Sequence, residues 1–115
     1  MEEEGKIINI LEKRIQGFIE KMRPEEDIRD QVDIGYSFEK NTIEVFEIRP
    51  KWNNEQEKMH SSFVRAKYVK SRNVWVVYWK RASGKWDKYE PNPEVDDLAV
   101  FFEVIGADEY GCFFG

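Results

Sequence analysis

The sequence predicts an α+β protein in which an N-terminal helix, an antiparallel five-stranded meander and a C-terminal helix follow one another along the chain (α-β-β-β-β-β-α). Apolar residues recur at spacings of three and four in the first 22 residues and again after residue 93, which is the period of an amphipathic helix. Between these segments the period falls to two, and turn-forming residues interrupt it. No crossover helix separates the strands, so neighbouring strands are expected to be antiparallel. A chain of 115 residues fits a single domain, residues 1–115.

The first helix is predicted from Glu4 to Met22. Pro24 ends it, because the proline ring disfavours helical geometry in the residue before it. Its apolar stripe consists of Ile7, Ile8, Leu11, Ile15, Phe18, Ile19 and Met22. We expect this stripe to pack on one face of the sheet.

Five strands are predicted where β-branched and aromatic residues are dense. The predicted strands are 32–39, 42–49, 63–70, 74–81 and 86–89. In the second strand, Ile43 and Val45 share one parity while Phe46 and Ile48 share the other, which indicates a β-bulge. The polar segment Lys51–Ser61 is predicted to be the longest loop, with Trp52 folded back against the body.

The second helix is predicted from Glu94 to Ile105, with acidic residues in its first turn and Gly106 as its stop. The tail from Ala107 to Gly115 ends in Cys112, Phe113 and Phe114, and we expect it to dock on the body.

Composition excludes several classes of site. Cys112 is the single cysteine, so no intramolecular disulfide can form, and with His60 it supplies too few ligands for structural zinc. No cofactor is predicted. No export signal or membrane-spanning run is present, and the predicted location is cytoplasmic. The net charge is −5, but residues Phe63–Tyr89 carry +7 and the remainder −12.

That basic segment supplies the candidate binding surface. A three-residue turn at Ser71–Asn73 would place Arg65 opposite Trp79. A four-residue turn at Ala82–Lys85 would place Trp79 opposite Lys88 and Arg81 opposite Trp86. Aromatic and cationic groups would then share one face, and this combination suits single-stranded nucleic acid. The predicted ligand-binding residues are Arg65, Lys67, Trp75, Trp79, Arg81, Trp86 and Lys88.

The leading interpretation is a non-enzymatic protein that binds single-stranded nucleic acid or another anionic partner through this face. An ordinary exposed sheet stabilised by cation–π pairs explains the same residues. The alternative function is a protein-interaction module that uses the apolar tail and the 50–61 loop. A homo-oligomer is possible, and a symmetric dimer through the sheet or the tail would favour this alternative. A metal-dependent nuclease using Asp33, Glu47 and Arg49 ranks third.

Several motifs resemble one family. They are Arg29-Asp30-Gln31, the run Val45–Pro50 followed by Trp52, Lys67-Tyr68-Val69, Trp75, Tyr78-Trp79, Arg81, Lys85-Trp86, Tyr89-Glu90-Pro91 and the terminal Gly111–Gly115. Together they resemble domain-of-unknown-function family 3024, a family of short stand-alone bacterial proteins. The resemblance implies no activity, cofactor or catalytic residue. Members of that family often carry His directly after the Lys-Trp pair, where this chain has Asp87, and the difference favours a structural or binding role.

Overall fold

A computed structural model describes the backbone of residues 2–108 and the side chains of residues 10–108. An N-terminal helix, an antiparallel sheet and a C-terminal helix follow in that order, so the predicted α+β class is confirmed. The elements are α1 (Glu2–Met22), β1 (Asp33–Glu39), β2 (Thr42–Lys51), β3 (Asn54–Val69), β4 (Val74–Lys80), β5 (Trp86–Lys88), β6 (Glu94–Val95) and α2 (Leu98–Ala107). Strands β1 to β5 form the predicted meander, and the two-residue β6, which was not predicted, pairs with β4 beside β5.

Helix α1 begins at Glu2, two residues before its predicted start, and ends at Met22 as predicted; it covers one face of the sheet. Ile15 and Ile19 are buried, while Phe18 packs at the margin of the core. Phe18 stacks on Phe102 of α2 with ring centroids 4.8 Å apart. Both helices therefore bury their apolar sides against the same face, which we call the core face.

A β-bulge is present, but it lies on β3 and not on β2, where it was predicted. The register of β2 against β3 shifts between Val45 and Phe46, whose partners are Val64 and Ser62. The extra residue is Phe63 on β3, and its ring joins the core. The bulge lets the consecutive residues Phe63 and Val64 both contribute to the core. Strand β2 itself alternates regularly, with Val45 facing the core and Phe46 on the opposite face of the sheet.

The segment predicted as a long loop is instead a two-stranded arm. Strands β2 and β3 continue to pair beyond Asp33, the first residue of β1, as far as Lys51 opposite Asn54. Trp52 lies at the tip and is 93% exposed, so the expectation that it folds back is wrong. Backbone pairing with β2 satisfies the hydrogen bonds of this polar segment, which explains why a strand forms without an apolar face.

The predicted registers of β3, β4 and β5 are each wrong by one residue. Arg65 lies opposite Tyr78 rather than Trp79, because the turn after Val69 has four residues and ends with Asn73 in the left-handed region (φ 54°). Likewise Tyr78, and not Trp79, pairs with Lys88. A one-residue slip turns every side chain of a strand to the other face.

Helix α2 begins later than predicted, because Glu94 and Val95 pair with β4. Asp97 is the N-cap, and its carboxylate accepts a hydrogen bond from the backbone N–H of Ala99 at 3.2 Å. The helix continues through Gly106 to Ala107. The predictions for Cys112, Phe113 and Phe114 lie outside the described residues.

Candidate functional site

The face of the sheet away from the helices carries a basic and aromatic surface on β3, β4 and β5. Antiparallel pairing places Arg65, Tyr78 and Lys88 in one row across the three strands. Lys80 pairs with Trp86 in the next row. We call this surface the cationic face; its residues are Arg65, Lys67, Tyr78, Lys80, Trp86 and Lys88.

Contacts with two neighbouring side chains hold Arg65 in place on the cationic face. Its guanidinium carbon lies 4.2 Å from the centroid of the Trp86 ring, and one terminal nitrogen donates to Glu44 at 3.2 Å. The Nε of Arg65 is buried and has no hydrogen-bond partner among the residues that the structure describes. A buried donor without a partner costs roughly 1–3 kcal/mol, and such groups are uncommon in folded proteins.

The lysines of the cationic face are free to meet a ligand. Lys67, Lys80 and Lys88 are exposed. Within residues 10–108, no carboxylate lies within ion-pairing distance of any of these three ammonium groups. Three uncompensated positive charges therefore surround the Arg65–Trp86 stack.

The structure brings together four of the seven predicted ligand-binding residues: Arg65, Lys67, Trp86 and Lys88 share the cationic face. Trp75 and Trp79 do not, because the corrected register turns them to the core face. Trp75 is 6% exposed and packs against Tyr68, and Trp79 borders the core. Arg81 follows β4 and forms an ion pair with Asp87 at 3.0 Å. Asp87 is the residue of β5 that pairs with Trp79.

Two residues of the cationic face, Tyr78 and Lys80, are absent from the predicted ligand-binding residues. The alternation along β4 could have found them, since Val76, Tyr78 and Lys80 share one parity. However, the residues that point to the other face are at least as apolar; they are Trp75, Val77 and Trp79.

A second charged cluster, away from the cationic face, joins α1 to β1. Arg23 donates to both carboxylate oxygens of Asp33, each at 2.9 Å. These hydrogen bonds hold the pKa of Asp33 below its usual value, against the opposing effect of partial burial. The ion pair fastens the end of α1 to the first strand.

The hypothetical metal site does not have its carboxylates on one face. Glu47 pairs with Ile34, whereas Asp33 pairs with Ile48, so the two acidic residues point to opposite faces. Glu47 forms an ion pair with Arg49 at 2.9 Å. In the part of the chain that is described, no group of three or more His, Cys, Asp or Glu side chains could hold a metal ion.

Among the described residues, no helix is long and apolar enough to cross a membrane.

Comparison with known proteins identifies a family but no characterised relative. Neither a curated protein nor a solved structure matches the chain. The family model described as Domain of unknown function (DUF3024) matches residues 3–115, nearly the whole chain, and the protein belongs to that family.

Proposed function

We propose that this protein is a non-enzymatic binding protein that holds single-stranded nucleic acid on the cationic face. The observation that carries the proposal is the Arg65 guanidinium stacked on Trp86 among unpaired lysines. Arginine and lysine neutralise phosphates, and flat aromatic faces stack on bases without regard to their identity.

The arrangement on three strands suits an extended polyanion better than a compact ligand. Adjacent strands lie roughly 4.8 Å apart, so the row of Arg65, Tyr78 and Lys88 spans roughly 10 Å. Tyr78 lies between two cations in this row, and Trp86 faces Lys80 in the next. Each aromatic group thus has a cation beside it, as base stacking combined with phosphate contact requires. Binding is expected to be weak at physiological salt, because the chain as a whole carries −5.

The direct test is a titration of fluorescein-labelled oligothymidine at low salt, followed by fluorescence anisotropy. The double variant Lys67→Ala/Lys88→Ala should reduce the slope of log K against log salt by about 1.4, since each lost phosphate contact on a single strand contributes about 0.7. The matched control is Lys13→Ala/Lys21→Ala, which removes two exposed lysines of α1. The control should leave the slope unchanged; equal effects of both pairs, or no binding by the wild type, would contradict the proposal.

A second pair of variants tests which aromatic groups stack on bases. Trp86→Leu should weaken oligothymidine binding by roughly 5- to 150-fold, from the 1–3 kcal/mol that stacking contributes per base. Trp79→Leu removes the same ring from the core face and should change the affinity little. If Trp79→Leu produces the larger loss in a folded protein, the binding surface is not the cationic face.

One observation favours the alternative function, a protein-interaction module. Trp52 is 93% exposed at the tip of the arm, and Met59 is 46% exposed along it. Tryptophan is enriched among the residues that dominate protein interfaces. The tail that this alternative also uses lies outside the described residues. An oligomer that dissociates on Trp52→Ser, measured by sedimentation velocity, would support the alternative with a second copy of the chain as the partner.

A further inference from the structure

The described residues line a half-open cavity of about 370 Å³ at the end of the sheet opposite the arm. The turn before β2, the turn before β4, helix α1 and the start of α2 surround it. Its volume falls within the range of roughly 300–1,000 Å³ that is usual for small-molecule sites. The cavity opens on the helical side of the sheet and shares no residue with the cationic face.

Aromatic side chains form the inner wall of this cavity. The rings of Tyr68 and Trp75 have centroids 5.1 Å apart and planes inclined at 49°, so they meet as two sides of a corner. Phe38 contributes a third ring. The turn that contains Asn73 holds the corner in place, because the Tyr68 hydroxyl donates to the amide oxygen of Asn73. Aromatic faces carry partial negative charge, and a corner built from several of them attracts cations.

The mouth of the cavity is acidic. Arg14 and Asp97 form an ion pair at 2.9 Å and cancel each other. Asp96 also lines the cavity; it is exposed and forms neither a hydrogen bond nor an ion pair within residues 10–108. One uncompensated carboxylate therefore lies at the mouth of an aromatic corner.

We propose that this cavity binds a small organic cation, an alkylated ammonium group such as a quaternary amine. Its positive charge would lie against the faces of Tyr68, Trp75 and Phe38, and Asp96 would balance that charge at the mouth. An anion is disfavoured by the same carboxylate, and the described part of the chain has no group of three or more His, Cys, Asp or Glu side chains that could hold a metal ion. The proposal does not depend on the nucleic-acid function, because the two sites lie on opposite faces of the sheet.

The decisive probe is choline compared with 3,3-dimethylbutan-1-ol, which has the same shape with carbon in place of the charged nitrogen. Choline should cause saturable shifts of the Trp75 indole N–H and the Asn73 side-chain amide in proton–nitrogen NMR spectra. The neutral alcohol should bind about 2- to 30-fold more weakly, since a cation–π contact is worth about 0.5–2 kcal/mol. Equal binding of the two compounds, or no saturable shift with choline, would overturn the proposal.

Variants separate the charge from the shape of the cavity. Asp96→Asn keeps the volume and should weaken choline binding by about 1.5- to 5-fold, the usual effect of an exposed charge pair, without affecting the neutral alcohol. Tyr68→Leu removes one side of the corner and should weaken choline by about 2- to 30-fold. The matched control is Glu103→Gln, which should have no effect on choline binding. Glu103 is an exposed carboxylate on α2 that does not line the cavity. An equal loss in Asp96→Asn and Glu103→Gln would refute the assigned role of Asp96.

The two proposed sites fail independently. Oligothymidine should not displace choline, and Lys67→Ala/Lys88→Ala should bind choline like the wild type. Displacement of choline by the oligonucleotide would contradict the proposal that the cavity is a separate site. It would not contradict nucleic-acid binding by the cationic face, but it would show that the binding surface extends beyond that face.

Discussion

The two sides of strand β4 carry similar residues and are used in opposite ways. Toward the helices, Trp75 and Val77 are buried in the core, 6% and 0% exposed. Away from them, Tyr78 is half-buried between two cations and Lys80 is exposed beside Trp86. The difference shows that in β4 an aromatic side chain lies in the core or on the outer surface according to its parity. Each prediction below tests one side of the sheet against the other.

The largest effect is expected from truncating a tryptophan on the core side. Trp75→Ala should lower the free energy of unfolding by about 3–5 kcal/mol, because it removes a large buried ring and leaves a cavity. Trp86→Ala, from a half-buried ring on the cationic face, should cost clearly less. Trp52→Ala, at the exposed tip of the arm, should stay within about 0.5 kcal/mol of the wild type. Urea denaturation of the three variants gives the ranking, and a Trp86 effect equal to that of Trp75 would contradict the assignment of faces.

The next effect concerns the outer side of β1, beyond the cationic face. A Cβ atom added at Gly35 would lie 2.7 Å from a ring atom of Phe46, a ring that stacks on His60 with centroids 4.6 Å apart. Gly35→Ala should therefore destabilise the protein by about 1–3 kcal/mol through overpacking. At the exposed Gly17 of α1 an added Cβ meets nothing within 4 Å. Gly17→Ala should stabilise by up to about 1 kcal/mol, because alanine is the better helix former.

Opposite signs for these two substitutions, measured by thermal unfolding, would show that Phe46 closes this part of the outer side. A stabilising effect of Gly35→Ala would instead show that the Phe46 ring moves aside freely. The outer face of the sheet would then be open along its whole width.

The third prediction concerns what keeps the helices on the core side. Arg23 lowers the pKa of Asp33, so this carboxylate stabilises the fold above its unfolded pKa of about 3.9 and loses that contribution as the pH falls through the lower folded value. Asp33→Asn should thus be less stable than the wild type at neutral pH. The gap should narrow below about pH 4 and close once the wild-type carboxylate is protonated. A gap that stays constant from neutral to strongly acidic pH would mean that the loss comes from packing and not from the charge.

The sequence was sufficient for the two helices and the order of the five strands, but not for the facing of the strands, the arm or β6. Helix α1 was predicted because its apolar spacing admits one period. The bulge was assigned to the wrong strand, because both faces of β2 carry apolar residues and its regular alternation resembles a change of parity; the extra residue is Phe63 on β3. The side chains of β4 are apolar on both parities, so only the turn before the strand could fix its register. That turn has four residues instead of three, with Asn73 adopting the left-handed conformation that asparagine tolerates.

The candidate site was partly predicted because two errors cancelled. The error in the register between β3 and β4 placed Trp75 and Trp79 on the face of Arg65, where the structure has Tyr78 and Lys80. The error in the register between β4 and β5 compensated for the first, so Trp86 and Lys88 were correctly predicted on the face of Arg65. The arm could not be predicted from side chains, because backbone pairing rather than an apolar pattern holds its outer part together. The cavity was missed for a different reason: its walls come from two helices and two turns far apart in sequence.

The smallest expected effect compares two adjacent cations at the end of β4. Lys80 belongs to the cationic face and lies opposite Trp86, whereas Arg81 forms an ion pair with Asp87 at 3.0 Å. Lys80→Ala should therefore reduce the salt slope of oligothymidine binding by about 0.7. Arg81→Ala removes the same formal charge and should leave the slope almost unchanged, because an arginine already paired with a carboxylate releases no counterion from the nucleic acid. Equal reductions would mean that binding responds to total charge near this turn, and the distinction between the two sides of the sheet would then have no bearing on the ligand.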